Sequence, residues 1–176
     1  MTMKWIAAAL VSALCLPGPA MAALAAGEKA PDFTTRGALA GKVFTLNLAE
    51  QLKHGPVVLY FFPAAFTPGC TIEAHEFAEA SAAFKKAGAR IIGLSADSIE
   101  KLQKFSVEAC RNTFAVATAK PDVITAYDVT LPQRAGLSNR TSYVIAQSGR
   151  VAYTYSDTNP ADHVRNTLAA VKSLGK

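Results

Sequence analysis

Val57-Val58-Leu59-Tyr60-Phe61-Phe62-Pro63-Ala64-Ala65-Phe66-Thr67-Pro68-Gly69-Cys70 is the stretch from which the rest of the chain is read. Residues 57–62 are a short apolar run, rich in β-branched and aromatic side chains and bounded by Pro56 and Pro63, which predicts a buried strand. Pro63, Pro68 and Gly69 stop that strand in a loop. Beyond Cys70, residues Ile72, His75, Phe77, Ala80, Ala83 and Phe84 recur at helical spacing, with Glu73, Glu76 and Glu79 mostly off that face. A helix is therefore expected up to Gly88, with Ile72 and His75 on its apolar side and His75 a satisfied core histidine.

This places Cys70 in the first turn of a helix. Unpaired backbone N–H groups and the positive end of the macrodipole there favour a thiolate over a thiol. A free cysteine in the same place also reads as one more small buried apolar side chain, and position alone does not choose.

Working outward to the start of the chain, residues 1–22 read as separate from the fold. Lys4 supplies a short positive region, Ile6 to Leu16 is an apolar stretch too short to span a bilayer, and Pro17-Gly18-Pro19 breaks it. Ala20-Met21-Ala22 then has the A-x-A form of a signal-peptide cleavage site, with Ala23-Leu24-Ala25 as a second. Leu14 is too bulky for the position before a lipidated cysteine, so Cys15 is incidental. Cleavage after Ala22 leaves residues 23–176, a single domain of 154 residues, and lowers the formal charge from +5 to +4 because Lys4 is the only charge lost. The remaining charges are scattered and form no basic stripe, which argues against nucleic acid as a partner, and no membrane association is expected after cleavage. Export points to the periplasm, an oxidising compartment, for a mature chain with two cysteines, Cys70 and Cys110. Two is the minimum for a redox cycle and equally for a structural bridge.

Downstream, elements alternate with short connections. Residues 43–46 read as a short strand, 48–53 as a helical turn, and 90–95 as a second buried strand. Asp97 or Ser98 caps a helix running through Ile99, Leu102 and Phe105 toward Cys110. Residues 114–118 form a strand, 122–127 a short helix after Pro121, and 129–139 a long polar, turn-rich segment. Residues 142–146 and 150–155 pair as a hairpin across Gln147-Ser148-Gly149, and Asn159-Pro160 opens a last amphipathic helix carrying Val164, Leu168, Val171 and Leu174. The class is α/β, with a central mixed sheet and helices on both faces.

Pro63-Ala64-Ala65-Phe66-Thr67-Pro68-Gly69-Cys70 matches P-x-x-x-T-x-x-C, and in this it resembles the active-site signature of the peroxiredoxins. Thr67 to Ala74 look like the TPGCT-x-EA of the bacterioferritin comigratory protein or peroxiredoxin Q subgroup. The likeness extends to Ala30-Pro31-Asp32-Phe33, to Gly93-Leu94-Ser95-Ala96-Asp97, and to Arg140-Thr141-Ser142-Tyr143-Val144-Ile145. It implies a thioredoxin-like three-layer α/β/α sandwich and a peroxidase that reduces hydrogen peroxide and small organic hydroperoxides without metal, haem, flavin or other cofactor.

The resemblance also implies a set of roles. Cys70 attacks the peroxide and becomes a sulfenic acid, while the N–H groups of Gly69 and Cys70 offset charge on the departing oxygen. The Thr67 hydroxyl reaches sulfur and peroxide, although by its position it is also an ordinary helix N-cap. Pro63 shields the thiolate, and Arg140 lowers its pKa and binds the peroxide oxygens. Glu73 helps hold the arginine network, or serves only as a first-turn carboxylate. Relatives with a resolving cysteine often place it five residues after the reactive one, a position that is His75 here. Others carry it on the following helix, near whose end Cys110 stands as resolving cysteine or buried spectator, with Arg111 beside it to favour a thiolate. Electrons are expected from a thioredoxin-like protein or a small thiol, acting on a monomer or homodimer. His54, His75 and His163 show no metal-ligand spacing. A thiol-disulfide oxidoreductase of the same fold would carry C-x-x-C, and Thr67 stands where its first cysteine belongs.

Overall fold

Alternation along the apolar run sets the layers. Val57, Leu59 and Phe61 enter one hydrophobic cluster while Val58, Tyr60 and Phe62 enter another, so the strand they form is covered on both faces. The computed structural model of the chain describes residues 23–175, and the segment read as a signal peptide lies outside them.

Seven strands form one sheet in the order β2-β1-β5-β4-β3-β6-β7. They are β1 (Thr34–Leu39), β2 (Lys42–Asn47), β3 (Val57–Phe61), β4 (Arg90–Ser95), β5 (Ala115–Thr118), β6 (Thr141–Ile145) and β7 (Val151–Ser156). β3, β4 and β5 run parallel, and the other pairings are antiparallel, so the sheet is mixed. Helices α2 (Pro68–Lys86), α3 (Ile99–Glu108) and α5 (His163–Leu174) bury Phe77, Phe84, Leu102, Phe105 and Val171 against one face. Helices α1 (Leu48–Leu52) and α4 (Pro121–Ala126) bury Leu48, Leu52, Val123 and Ile124 against the other. This is the α/β/α sandwich of the thioredoxin-like class.

β1 was not among the expected strands. Its Thr34-Thr35-Arg36-Gly37-Ala38-Leu39 has little apolar signal, and it forms because a tight turn at Ala40 and Gly41, both at positive φ, folds it onto β2. α3 ends at Glu108, so Cys110 lies just past the helix rather than within it. Ser98 caps that helix, accepting from the backbone N–H of Lys101, while Asp97 is engaged elsewhere.

The α2 face differs in phase from the expected one. Ile72 is 50% exposed and His75 only half-buried, whereas Glu73 is completely buried beside Cys70, Ala74 and Phe77. Apolar periodicity placed Glu73 outside because a carboxylate rarely enters a core unpaired. Here a cation from another element meets it.

Gly93 in β4 has a packing reason to be glycine. A Cβ on it would stand 2.7 Å from the ring of Tyr60, which stacks on Phe62 and Phe77 across the cluster beneath α2.

Candidate active site

Cys70 is the third residue of α2, after Thr67 at the N-cap and Pro68 at the first helical position, where its missing N–H costs no helical bond. The sulfur is almost wholly buried, at 1% exposure for the residue. Thr67, Phe66 and Pro68 are exposed and Pro63 is half-buried, so the loop forms the surface over it. Phe66 holds φ 66°, unfavourable for a bulky side chain, and its ring packs edge-on against Phe105 at 5.2 Å.

Two side chains distant in sequence fix this loop. Asp97 Oδ2 accepts from the Ala65 N–H at 2.6 Å and from Ser95 Oγ at 2.8 Å, and Lys101 Nζ pairs with Oδ1 at 2.6 Å. Ser138 Oγ donates to the Phe62 carbonyl at 3.0 Å, occupying the last peptide before Pro63. The Asn139 N–H donates to the Val129 carbonyl at 2.7 Å, so the turn-rich 129–139 segment is an anchored loop that delivers Arg140 to the site.

Arg140 is buried and uses three parts of its guanidinium. Nε donates to the Thr158 carbonyl at 3.0 Å, Nη1 pairs with Glu73 Oε2, and Nη2 lies 3.5 Å from Cys70 Sγ. This fixed fork holds a positive charge beside the sulfur in a site largely shielded from water. Burial opposes the Arg140 charge, but Glu73 and Cys70 hold its pKa above the ordinary value. Burial pushes the Glu73 carboxyl up from 4.5 to about 8 against the pull of Arg140.

Thr67 is the N-cap residue, but its hydroxyl donates to the Ala64 carbonyl at 2.9 Å and makes no cap bond. His163, which sequence spacing left as a dispersed histidine, is fully buried behind Glu73. Its Nδ1 lies 2.8 Å from Ser142 Oγ and 3.7 Å from Glu73 Oε1. Only its position in the first turn of an amphipathic helix marked it beforehand. Asp97 was legible as part of a motif but not as the anchor of the loop.

Cys110 is a free thiol, as is Cys70, and is completely buried. Burial pushes its thiol well above the usual range. Arg111 does not offset this, because its guanidinium is exposed and pairs with Glu79 at 3.2 Å.

The model of the AhpC/TSA family matches residues 26–154. The chain belongs to the AhpC/TSA family. Peroxiredoxin Q, chloroplastic, from Oryza sativa subsp. japonica is 32% identical over 179 residues, covering 93% of this chain and 81% of the relative. Peroxiredoxin Bcp from Bacillus subtilis is 31% identical over 155 residues, covering 85% of this chain and 96% of the relative. Among solved structures, peroxidoxin BcpB from Mycobacterium tuberculosis superposes with a TM-score of 0.76 at 29% identity, over 85% of this chain and 97% of that one. The protein is thus an AhpC/TSA peroxiredoxin, a thiol-dependent peroxidase that takes peroxide as oxidant and a thiol as reductant.

Proposed function

We propose that Cys70 is the peroxidatic cysteine and that Arg140 is the group that activates it. The observation that carries this reading is the 3.5 Å approach of Arg140 Nη2 to Cys70 Sγ at the start of a helix. The thiolate attacks one oxygen of ROOH, the O–O bond breaks, Cys70 becomes a sulfenic acid, and RO⁻ leaves to take up a proton as alcohol or water. Arg140 and the backbone N–H groups at the helix start offset the charge on the departing oxygen. The Thr67 hydroxyl, donating to Ala64, accepts a hydrogen bond from the peroxide O–H, which stays with the oxygen that passes to sulfur, and half-buried Pro63 walls off water. Hydrogen peroxide and small organic hydroperoxides are the substrates.

In the second half of the cycle, Cys110 condenses with the sulfenic acid to a disulfide with loss of water. A thioredoxin-like periplasmic protein or a small thiol then reduces that disulfide. Burial of Cys110 makes opening of residues 109–113 a requirement of this step. The chain segment at 1–22 acts as a secretory signal, leaving 23–176 as the mature domain in the periplasm, as monomer or homodimer. Support for cleavage after Ala22 rather than Ala25 comes from Leu24, whose carbonyl accepts from Thr154 Oγ1 at 2.7 Å and whose N–H donates to Tyr143 Oη at 3.3 Å.

The test is the intact mass and non-reducing peptide map of reduced protein after one equivalent of hydrogen peroxide. Oxygen or a disulfide placed at Cys70, together with loss of turnover in a folded Cys70→Ser variant, is the expected result. An unmodified Cys70 or an active Cys70→Ser variant would remove it from the reaction. Arg140→Lys, whose point charge cannot replace the three-way fork, should slow sulfenic acid formation by about 10²-fold.

A further inference from the structure

One cation, Arg140, faces two buried acids, Cys70 and Glu73, so their charges compete for it. If both ionise, the pocket carries a net negative charge away from water, and the thiolate is disfavoured by its neighbour. Protonation of Glu73 relieves this, but a buried O–H then needs an acceptor. Glu73 Oε2 is taken by Arg140, while Oε1 is fully buried and has no hydrogen-bond partner among the described residues.

His163 Nδ1 lies 3.7 Å from that orphan oxygen. His163 Nε2 lies 3.0 Å from the Asp157 carbonyl, which can only accept, so the ring proton of a neutral imidazole belongs on Nε2 and Nδ1 carries the lone pair. Ser142 Oγ, at 2.8 Å, and a protonated Glu73 Oε1, at 3.7 Å, are the two groups placed to donate to that lone pair. Asp157 and Thr158 are consecutive: the first carbonyl orients His163 and the second orients Arg140, so one peptide segment sets both ends of the network.

Other groups facing this network are Tyr60 from β3, Tyr155 from β7 in a T-shaped contact with the imidazole at 4.8 Å, Glu76 on α2, and Asp157 and Asp162 beside His163. Tyr60 Oη is itself without a partner among the described residues, and none of these groups supplies a second cation to Glu73.

We propose that His163 is a positioning residue of the peroxidase site: by sharing one proton with Glu73 it keeps that carboxyl from competing with the Cys70 thiolate for Arg140. This rests on the reading of Cys70 and Arg140 given above. Burial raises the Glu73 pKa and lowers that of His163, which is the direction the shared, uncharged pair requires.

The test is the pH dependence of Cys70 alkylation by iodoacetamide, followed by peptide mass so that only Cys70 is read. Replacing His163→Gln takes away the basic nitrogen that can hold the proton, which an amide cannot, and should raise the Cys70 midpoint by about one pH unit, or about tenfold less thiolate below it. Glu73→Gln should not raise the midpoint, and His163→Gln should then add nothing in the Glu73→Gln background. A merely structural histidine would alter stability and leave the midpoint alone. An unchanged midpoint in His163→Gln, or the same rise in the Glu73→Gln background, would overturn the proposal. Wild-type protein supplies a second measurement should His163→Gln fail to fold: the 15N shift of His163 Nδ1 should move when Cys70 is alkylated, and not in Glu73→Gln. A shift indifferent to alkylation would equally overturn it. Alkylation reads the thiolate without peroxide, so a protein that alkylates as expected but is never oxidised fails the peroxidase reading alone.

Discussion

Gly69 lies directly against Arg140: a Cβ on residue 69 would stand 3.2 Å from Nη2, the nitrogen that faces the Cys70 sulfur. The glycine before the cysteine therefore sets how closely the guanidinium approaches. Its φ is not in the left-handed region, so Gly69→Ala meets no backbone strain, and alanine favours the helix by up to about 1 kcal/mol. Loss of one charge-assisted contact costs about 1.5–3 kcal/mol, or about 10- to 100-fold in rate. Gly69→Ala should thus keep or raise Tm while slowing oxidation of Cys70 by that factor, as read by competition with a second peroxidase. An unchanged rate would mean that Arg140 has room to retreat without consequence.

Asp97 holds the loop from the opposite side. Asp97→Ala leaves the Ala65 N–H without its acceptor and removes a partner of Ser95. The cost in stability should be about 1–3 kcal/mol. Limited proteolysis should then cut within residues 63–69, and peroxide reduction should fall although Asp97 touches neither sulfur nor arginine. Resistance to cleavage equal to wild type would show that Phe66 packing on Phe105 suffices.

Glu73 makes stability depend on pH. Burial raises its pKa from 4.5 to about 8, so between those values the folded carboxyl keeps a proton that the unfolded chain has released. Its contribution is fully present below about pH 4.5, declines as pH rises, and is lost above about pH 8. Denaturation melts from about pH 5 to about pH 8.5 should show a falling Tm that Glu73→Gln flattens. The same decline in the variant would assign the effect to other groups.

Cys110 should resist alkylation in the native reduced protein, since it is completely buried and burial raises its pKa. Arg111 and Asn112 immediately after it both hold positive φ, which weakens this segment relative to the helix it follows. Hydrogen exchange should therefore be faster at residues 109–113 than in α3, and faster still after Cys70 is oxidised. Rates equal to those of α3 in both states would argue against Cys110 leaving the core.

The strand at 57–62, the loop after it, and the placement of Cys70 at a helix start were legible because each depends on neighbours within a few residues. Prolines bound the strand, Pro68 opens the helix, and Gly88 lies just past its end. The hairpin of β6 and β7 and the last helix were legible for the same reason. β1 was not, because its Thr-Thr-Arg-Gly-Ala-Leu pairs with β2 and β5 through backbone bonds that leave little trace in side-chain pattern.

Local pattern thus determined the class of fold, the family it belongs to and the cysteine proposed as nucleophile. The environment of that cysteine was decided by tertiary structure, since its parts come from Glu73, Asp97, Ser138, Arg140 and His163. Sheet order brings these far-apart positions together: β3 lies between β4, which leads to Asp97, and β6, which begins just after Arg140. Glu73 shows the limit most clearly. Periodicity assigns a glutamate to solvent because burying a lone charge is unfavourable, and only the fold supplies the arginine that makes its burial tolerable.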